Sequence, residues 1–214
     1  MEIKFEDYKL IRNIVIDMLY DRSEQPLSRF FFERGSLNIF KMIPEFALSD
    51  IYDQGMSSKN TNILDMEFKN DKQRVIVHFF KNTLKIDENI KKIKDFYSIE
   101  SRDHLICIIC TLNKPLDTMI TTPIKNAEIF WYKSLTFNLT LHNLVPKHEL
   151  MEEYKRDELK KIFHLNSIES LPTILTKDPV AKYYNMRHGD ICKITRHISN
   201  VGESVSYRFV SDKE

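Results

Sequence analysis

Two short apolar runs constrain this fold most: "RVIVHFF" at 74 to 80 and "HLICIIC" at 104 to 110. The first is rich in β-branched and aromatic residues, and the second is bounded by the polar "SRD" before it and "LNKP" after it. Both read as buried strands. Between them Leu84, Ile86, Ile90, Ile93, Phe96 and Tyr97 recur near helical spacing, which predicts a helix over 84–97. Strand, helix, strand predicts a crossover unit with parallel strands and a right-handed connection. "NILDMEFK" at 62 to 69 predicts an earlier strand, joined to the first run by the polar turn "NDKQ", and "FWYKSLTFNLTL" predicts a further extended segment. The first half is thus α/β, a mixed sheet with a crossover helix.

Residues 5 to 20 place Phe5, Tyr8, Leu10, Ile11, Ile14, Val15, Met18 and Leu19 near helical spacing, and the stretch containing Pro26 breaks that pattern. From there to Asn60 no period dominates. In the second half, "ELMEEYKRDELKKIF" opens acidic and ends basic, complementing a helix macrodipole, with Glu152–Arg156 and Asp157–Lys161 as i,i+4 pairs. Asp178 can cap a two-turn helix with Pro179 at its first position, ended by Gly189 in positive φ. Two strands follow, "ICKITRHI" and "SVSYRFV", joined by "SNVGE", and the alternation of Val205, Tyr207 and Phe209 predicts one buried face. This half is α+β.

At 214 residues with 42% apolar side chains, the chain can fill a core, and its formal charge of +1 encodes no general pull toward nucleic acid. The opening "MEIKFEDYKL" has no signal-peptide core, and charges interrupt every apolar stretch before membrane-spanning length. The expectation is a soluble intracellular protein without membrane contact. Three cysteines fit a reducing compartment, and four glycines leave no phosphate-binding glycine loop.

Chemistry candidates are few. "CIIC" spells C-x-x-C, but residues three apart in a strand point to opposite faces, so Cys107 and Cys110 read as core thiols, as does Cys192. Glu67-x-Lys69, with Asp50 or Asp53 upstream, echoes metal-dependent nucleases; the same residues also fit the wet face of an edge strand. None of the seven histidines falls in a zinc spacing, and no nucleophile signature is present. No catalytic, metal or cofactor site is expected. The basic residues Lys91, Lys92 and Lys94, and Arg187, Lys193, Arg196 and Arg208, read as solvated or partner-binding charges more readily than as a phosphate patch.

The C-terminal third carries more. "LVPKH" at 144 to 148, then "LPTI", "DPVAKYY", "RHGD", "KITR" and "SYRFV", closely resemble the fifth subunit shared by eukaryotic RNA polymerases and its archaeal counterpart. The length resembles the two-domain eukaryotic form. The resemblance implies an N-terminal α/β jaw domain over 1–142, similar in topology to nuclease folds, and a small α+β assembly domain over 143–214. It implies a non-catalytic subunit of a DNA-directed RNA polymerase, docked on the largest subunit and placing its jaw beside downstream double-stranded DNA. The family's DNA-facing loop falls on Asn113, Lys114 and Pro115, with Lys in place of the family's Thr. The motif residues Pro146, His148, Pro172, Asp178, Pro179, Arg187, Gly189, Arg196, Tyr207 and Arg208 fall on the implied subunit interface. Thr173, His188 and Glu203 depart from the family by losing or weakening positive charge, which implies a partner surface that has diverged correspondingly.

Two alternatives stand beside this reading: a Mg²⁺-dependent nuclease built on Glu67 and Lys69, and a free transcription adaptor. Location follows source. A cellular eukaryotic form belongs in the nucleus, and a form from a large DNA virus in cytoplasm or virion.

Overall fold

The two apolar runs are neighbouring parallel strands in the computed structural model, which describes residues 4–27, 38–40, 65–69, 73–80, 86–111, 126–198 and 202–213. The chain divides into two units. One comprises Met1–Val15 and Phe31–Phe137, the other Ile16–Phe30 and Asn138–Glu214. The first helix, α1 (Phe5–Ser23), therefore contributes residues to both.

The first unit is built on a five-stranded mixed sheet in the order β1 (Asn38–Phe40), β2 (Met66–Lys69), β3 (Arg74–Phe80), β4 (His104–Ile109), β5 (Ala127–Trp131). β1, β2 and β3 pair antiparallel, whereas β3, β4 and β5 pair parallel. A parallel pair needs a crossover, and α2 (Ile86–Phe96) lies between β3 and β4. Every residue of β4 is buried, as expected for a strand covered on both faces. Ile90 and Ile93 of α2 pack with Ile76, Phe80, Leu105, Cys107 and Ile109 on one sheet face. Removing each such side chain from water contributes about 1.5–3 kcal/mol. On the other face Tyr8 of α1 meets Phe79 at 5.3 Å between ring centroids. The helix α2 ends where Ser98 takes a φ of 48° and the Ile99 amide donates to the Lys94 carbonyl.

The expected extended segment over 130–141 is corrected. Only its first two residues lie in β5; Tyr132–Leu135 and Leu139–Leu141 are 3₁₀ turns. The Asn138 side chain accepts from the Thr140 amide and caps the second turn, giving the backbone a local partner in place of a ladder.

The second unit carries a four-stranded mixed sheet in the order β6 (Lys147–Leu150), β8 (Ile191–Ile198), β9 (Gly202–Ser211), β7 (Thr173–Leu175). β7 runs parallel to β9 and the other pairs are antiparallel. One face packs Leu150, Ile174, Cys192, Ile194 and Val210 against Ala181 and Met186 around α4 (Pro179–Tyr183). The other packs Ile191 and Phe209 against Leu159 of α3 (Arg156–Ile162) and Leu171.

Four expectations change here. The helix expected over 149–163 is α3 alone, preceded by a 3₁₀ turn at Glu153–Lys155, because burial of His148 and Leu150 commits residues 147–150 to β6. Glu152 consequently meets Lys155 at 2.7 Å and Asp157 meets Lys160 at 3.7 Å, instead of the expected i,i+4 partners. The short helix ends on Asn185 at φ 51°, while Gly189 at φ 91° forms the following turn. Of the face expected to be buried on β9, Phe209 is buried and Tyr207 partly so, but Val205 is 44% exposed. The hairpin outruns the helices that cover its base.

The end of α1 belongs to the fold of this second unit. Buried Arg22 donates through Nε to the Tyr183 carbonyl at 2.6 Å and through Nη2 to the Lys182 carbonyl at 2.9 Å. These are carbonyls at the C-terminus of α4, where a cation complements the unpaired ends. Tyr183 donates its hydroxyl to Asp21 at 2.6 Å, and the Leu150 amide donates to Gln25 Oε1 at 2.8 Å. Among the described residues no helix is long and apolar enough to cross a membrane.

Candidate interaction surface of the second unit

The second unit gathers the motif residues onto one small sheet and its turns, and many of them first serve the fold. Asp178 caps α4, accepting from the Val180 amide at 2.8 Å and the Ala181 amide at 3.4 Å, with Pro179 at the first position. Such a cap is worth about 1 kcal/mol. The Pro172 carbonyl accepts from the Phe209 amide, and Gly189, in positive φ, donates its amide to the Val210 carbonyl. In a region that L side chains rarely adopt, glycine closes this turn without strain. The Arg187 amide donates to Asp190, and its side chain is exposed. Tyr207 stacks edge-on against Phe163 at 5.7 Å between centroids.

His148 is buried on β6, and its Nδ1–H donates to the Pro146 carbonyl at 2.7 Å. That bond fixes the proton on Nδ1 in the neutral ring and leaves Nε2 as an acceptor. Burial holds its pKa below the ordinary imidazole value, with the positive fields of Arg196 and Arg208 acting in the same direction, against the Pro146 bond and Asp178. A cleft of about 460 Å³ opens beside it, lined in part by Asp21, Glu24, Pro146, Lys147 and Tyr184.

Strand register sorts the charges. His148 pairs with Ile194, Arg196 with Ser204 and Cys192 with Arg208, so His148, Arg196, Ser204, Ser206 and Arg208 share one face. Lys147, Glu149, Lys193, His197 and Glu203 share the other. The second face neutralises itself: Glu149 sits 2.7 Å from Lys147 and 3.6 Å from Lys193, and Glu203 sits 3.5 Å from His197. The hydrogen bond from Lys147 is the main cause that lowers the Glu149 pKa. On the first face Arg208 donates to the Thr173 carbonyl at 2.8 Å, and neither arginine has a carboxylate within ion-pair distance among the described residues.

The first unit answers the other candidates. Glu67 Oε1 faces Arg74 Nε at 3.4 Å, and Lys69 is exposed on β2. Asp50, Asp53 and the loop residues Asn113, Lys114 and Pro115 lie outside the described residues. Among those described, no three His, Cys, Asp or Glu side chains are placed to hold a metal. Lys91, Lys92 and Lys94 occupy the solvent face of α2. Cys107 and Cys192 are buried, and burial pushes the Cys192 thiol up to about 12 and Cys107 up as well, so both stay protonated.

Sequence reasoning missed a buried polar cluster. Asp65 accepts from His78 Nδ1 at 2.6 Å, from the Tyr97 hydroxyl at 2.6 Å and from the Phe79 amide at 3.3 Å. Burial first, and then the bond to Asp65, raise the Tyr97 pKa. A histidine inside "RVIVHFF" was the available signal, because a polar side chain in a buried strand requires a partner.

Residues 137–210 match the family model described as RNA polymerase Rpb5, C-terminal domain. The subunit Rpo5 of DNA-directed RNA polymerase from Archaeoglobus fulgidus is 46% identical over 76 residues, covering 36% of this chain and 99% of its own. The subunit rpabc1 of RNA polymerases I, II and III from Dictyostelium discoideum is 30% identical over 146 residues, covering 65% of this chain and 74% of its own. The chain belongs to the Rpb5 family of RNA polymerase subunits. The likeness extends to the full length of an Rpb5-type relative: RPABC1 of Caenorhabditis elegans is 28% identical over 221 residues, covering 97% of this chain and 98% of its own. Each of these relatives is named as one subunit of a polymerase and not as an enzyme by itself. The archaeal Rpb5 counterpart, matched over nearly all of its own length, corresponds to about a third of this chain.

Proposed function

We propose that the chain is a non-catalytic subunit of a multisubunit DNA-directed RNA polymerase, docking on the largest subunit through its C-terminal unit and placing its N-terminal unit beside downstream duplex DNA. One observation carries the reading: the six ordered motifs and the Rpb5 match fall on the same stretch, which forms one sheet with an exposed hairpin. The division into a jaw over 1–142 and an assembly domain over 143–214 is part of the proposal. So is the assignment of Pro146, His148, Pro172, Asp178, Pro179, Arg187, Gly189, Arg196, Tyr207 and Arg208 to the docking side. The scaffold bonds of Asp178, Gly189 and Pro172 support an indirect part for these three: they hold the surface that the exposed arginines present. Asn113, Lys114 and Pro115 are proposed to face the duplex, where a lysine contributes a phosphate contact that positions without specifying sequence. A cellular eukaryotic form would work in the nucleus.

Tagging the full chain in its own host and identifying co-purified proteins by mass spectrometry tests the reading. The two large polymerase subunits should be recovered at moderate salt. A chain recovered alone at every salt concentration contradicts it.

A further inference from the structure

The hairpin of β8 and β9 leaves two resources unused within the second unit. Along Gly202–Ser206 every residue is exposed, and β7 covers the outer edge of β9 only at Phe209–Ser211. Among the described residues no strand pairs with that open edge, so its outward N–H and C=O groups remain available to an added strand. Beside it, Arg196 is exposed and Arg208 partly so, on the face that carries no acidic residue from β6, β8 or β9. Of the carboxylates near this region, Asp178 is committed to capping α4, Glu149 to Lys147 and Lys193, and Asp21 and Glu24 line the cleft beside His148.

We propose that an acidic extended segment of a partner polymerase subunit adds to the sheet along Gly202–Ser206, its carboxylates meeting Arg196 and Arg208. This rests on the reading of the chain as a polymerase subunit and adds the chemistry of its partner. A peptide backbone matches the open edge donor for acceptor, which sets affinity, while alternate side chains set specificity. Guanidinium groups receive carboxylates in paired hydrogen bonds, and Arg208 keeps N–H groups beyond the one given to Thr173. A peptide is favoured over nucleic acid on two grounds. A phosphodiester strand has no alternating donors and acceptors to complete a ladder. Two cations also fall short of the set of phosphate contacts on which nucleic-acid affinity rests, and they share the hairpin with the half-exposed aliphatics Ile198 and Val205.

The test uses the full chain, tagged in its host. Arg196→Glu/Arg208→Glu reverses the face, Lys161→Glu alters charge on α3, away from the hairpin edge, and a photo-crosslinking residue replaces Ser204. The expected results are polymerase recovery lowered about tenfold or more by the double reversal, recovery maintained by Lys161→Glu, and a cross-linked partner peptide rich in Asp and Glu. Circular dichroism should show both variants folded. Undiminished recovery by a folded double variant overturns the inference and leaves the polymerase reading standing, as does equal loss with Lys161→Glu. A double variant that loses only binding to a duplex DNA probe assigns the arginines to nucleic acid and also overturns it. A wild-type chain that recovers no polymerase removes the reading itself.

Discussion

His148 shows how one side chain ties local packing to solution behaviour. Its ring is buried, its Nδ1–H is given to Pro146, and two arginines lie within electrostatic reach on the same face. All of this except the Pro146 bond and the field of Asp178 favours the neutral form, so its folded pKa lies below the unfolded value. The unfolded chain then binds the proton more readily than the folded one. Stability from this residue is complete above the unfolded imidazole value, about 6.5, and is lost as pH falls through it toward the lower folded value. Glu149, lowered chiefly by Lys147, acts in a more acidic window, contributing above the carboxylate range and losing its share as pH falls through its folded pKa. Urea titrations should therefore show the unfolding midpoint falling as pH is lowered from about 6.5 in the wild type. His148→Gln keeps an N–H for Pro146 and has nothing to titrate, so it should flatten that slope. An equal slope in the variant would place the effect elsewhere.

At the scale of elements, the joint between the end of α1 and α4 is the feature with the largest expected consequence. Arg22→Met removes the donor to the Tyr183 carbonyl and one of the donors to the Lys182 carbonyl, which also accepts from the Asn185 amide, and leaves their site filled by an aliphatic chain. The expected loss is about 1–3 kcal/mol, read as a lower urea midpoint. Arg22→Lys should restore only part of it, since an ammonium cannot span two carbonyls in the planar fork geometry. Full stability in Arg22→Met would deny the contact any energetic weight. Elements with a strong period were legible in advance: β3, β4 and α2 followed from apolar runs and helical spacing. Asp178-Pro179 likewise announced its cap. The failures share a cause, which is that the deciding partner lies far away in sequence. Glu149 and Leu150 look like the start of a charged helix until β8 offers a ladder to them, and Val205 alternates as a buried residue on a strand that extends past its cover. The contact of Arg22 with residues 182 and 183 leaves no local trace at all.

For the whole molecule, the order of short motifs was legible because turns and caps depend on Pro, Gly and Asp at fixed places, whereas partner surfaces tolerate exchange of charge. The polymerase reading gives the N-terminal unit a specific electrostatic task. Lys114 stands in the proposed duplex-facing loop of a chain whose formal charge is only +1, so a contact there would be local and not part of a general basic field. One lysine against a phosphate releases about one counterion, and the logarithm of affinity then falls with the logarithm of salt by close to one additional unit. Lys114→Glu removes that release and sets a negative charge against the backbone. Polymerase assembled with the variant should bind duplex DNA modestly more weakly at low salt, with the difference shrinking as salt rises. Its salt slope should be lower by about one. Anisotropy titrations on a labelled duplex between about 50 and 200 mM salt resolve such a change. Equal slopes for variant and wild type would mean that Lys114 meets no phosphate, and the duplex-facing role of this loop would fail while polymerase membership stood.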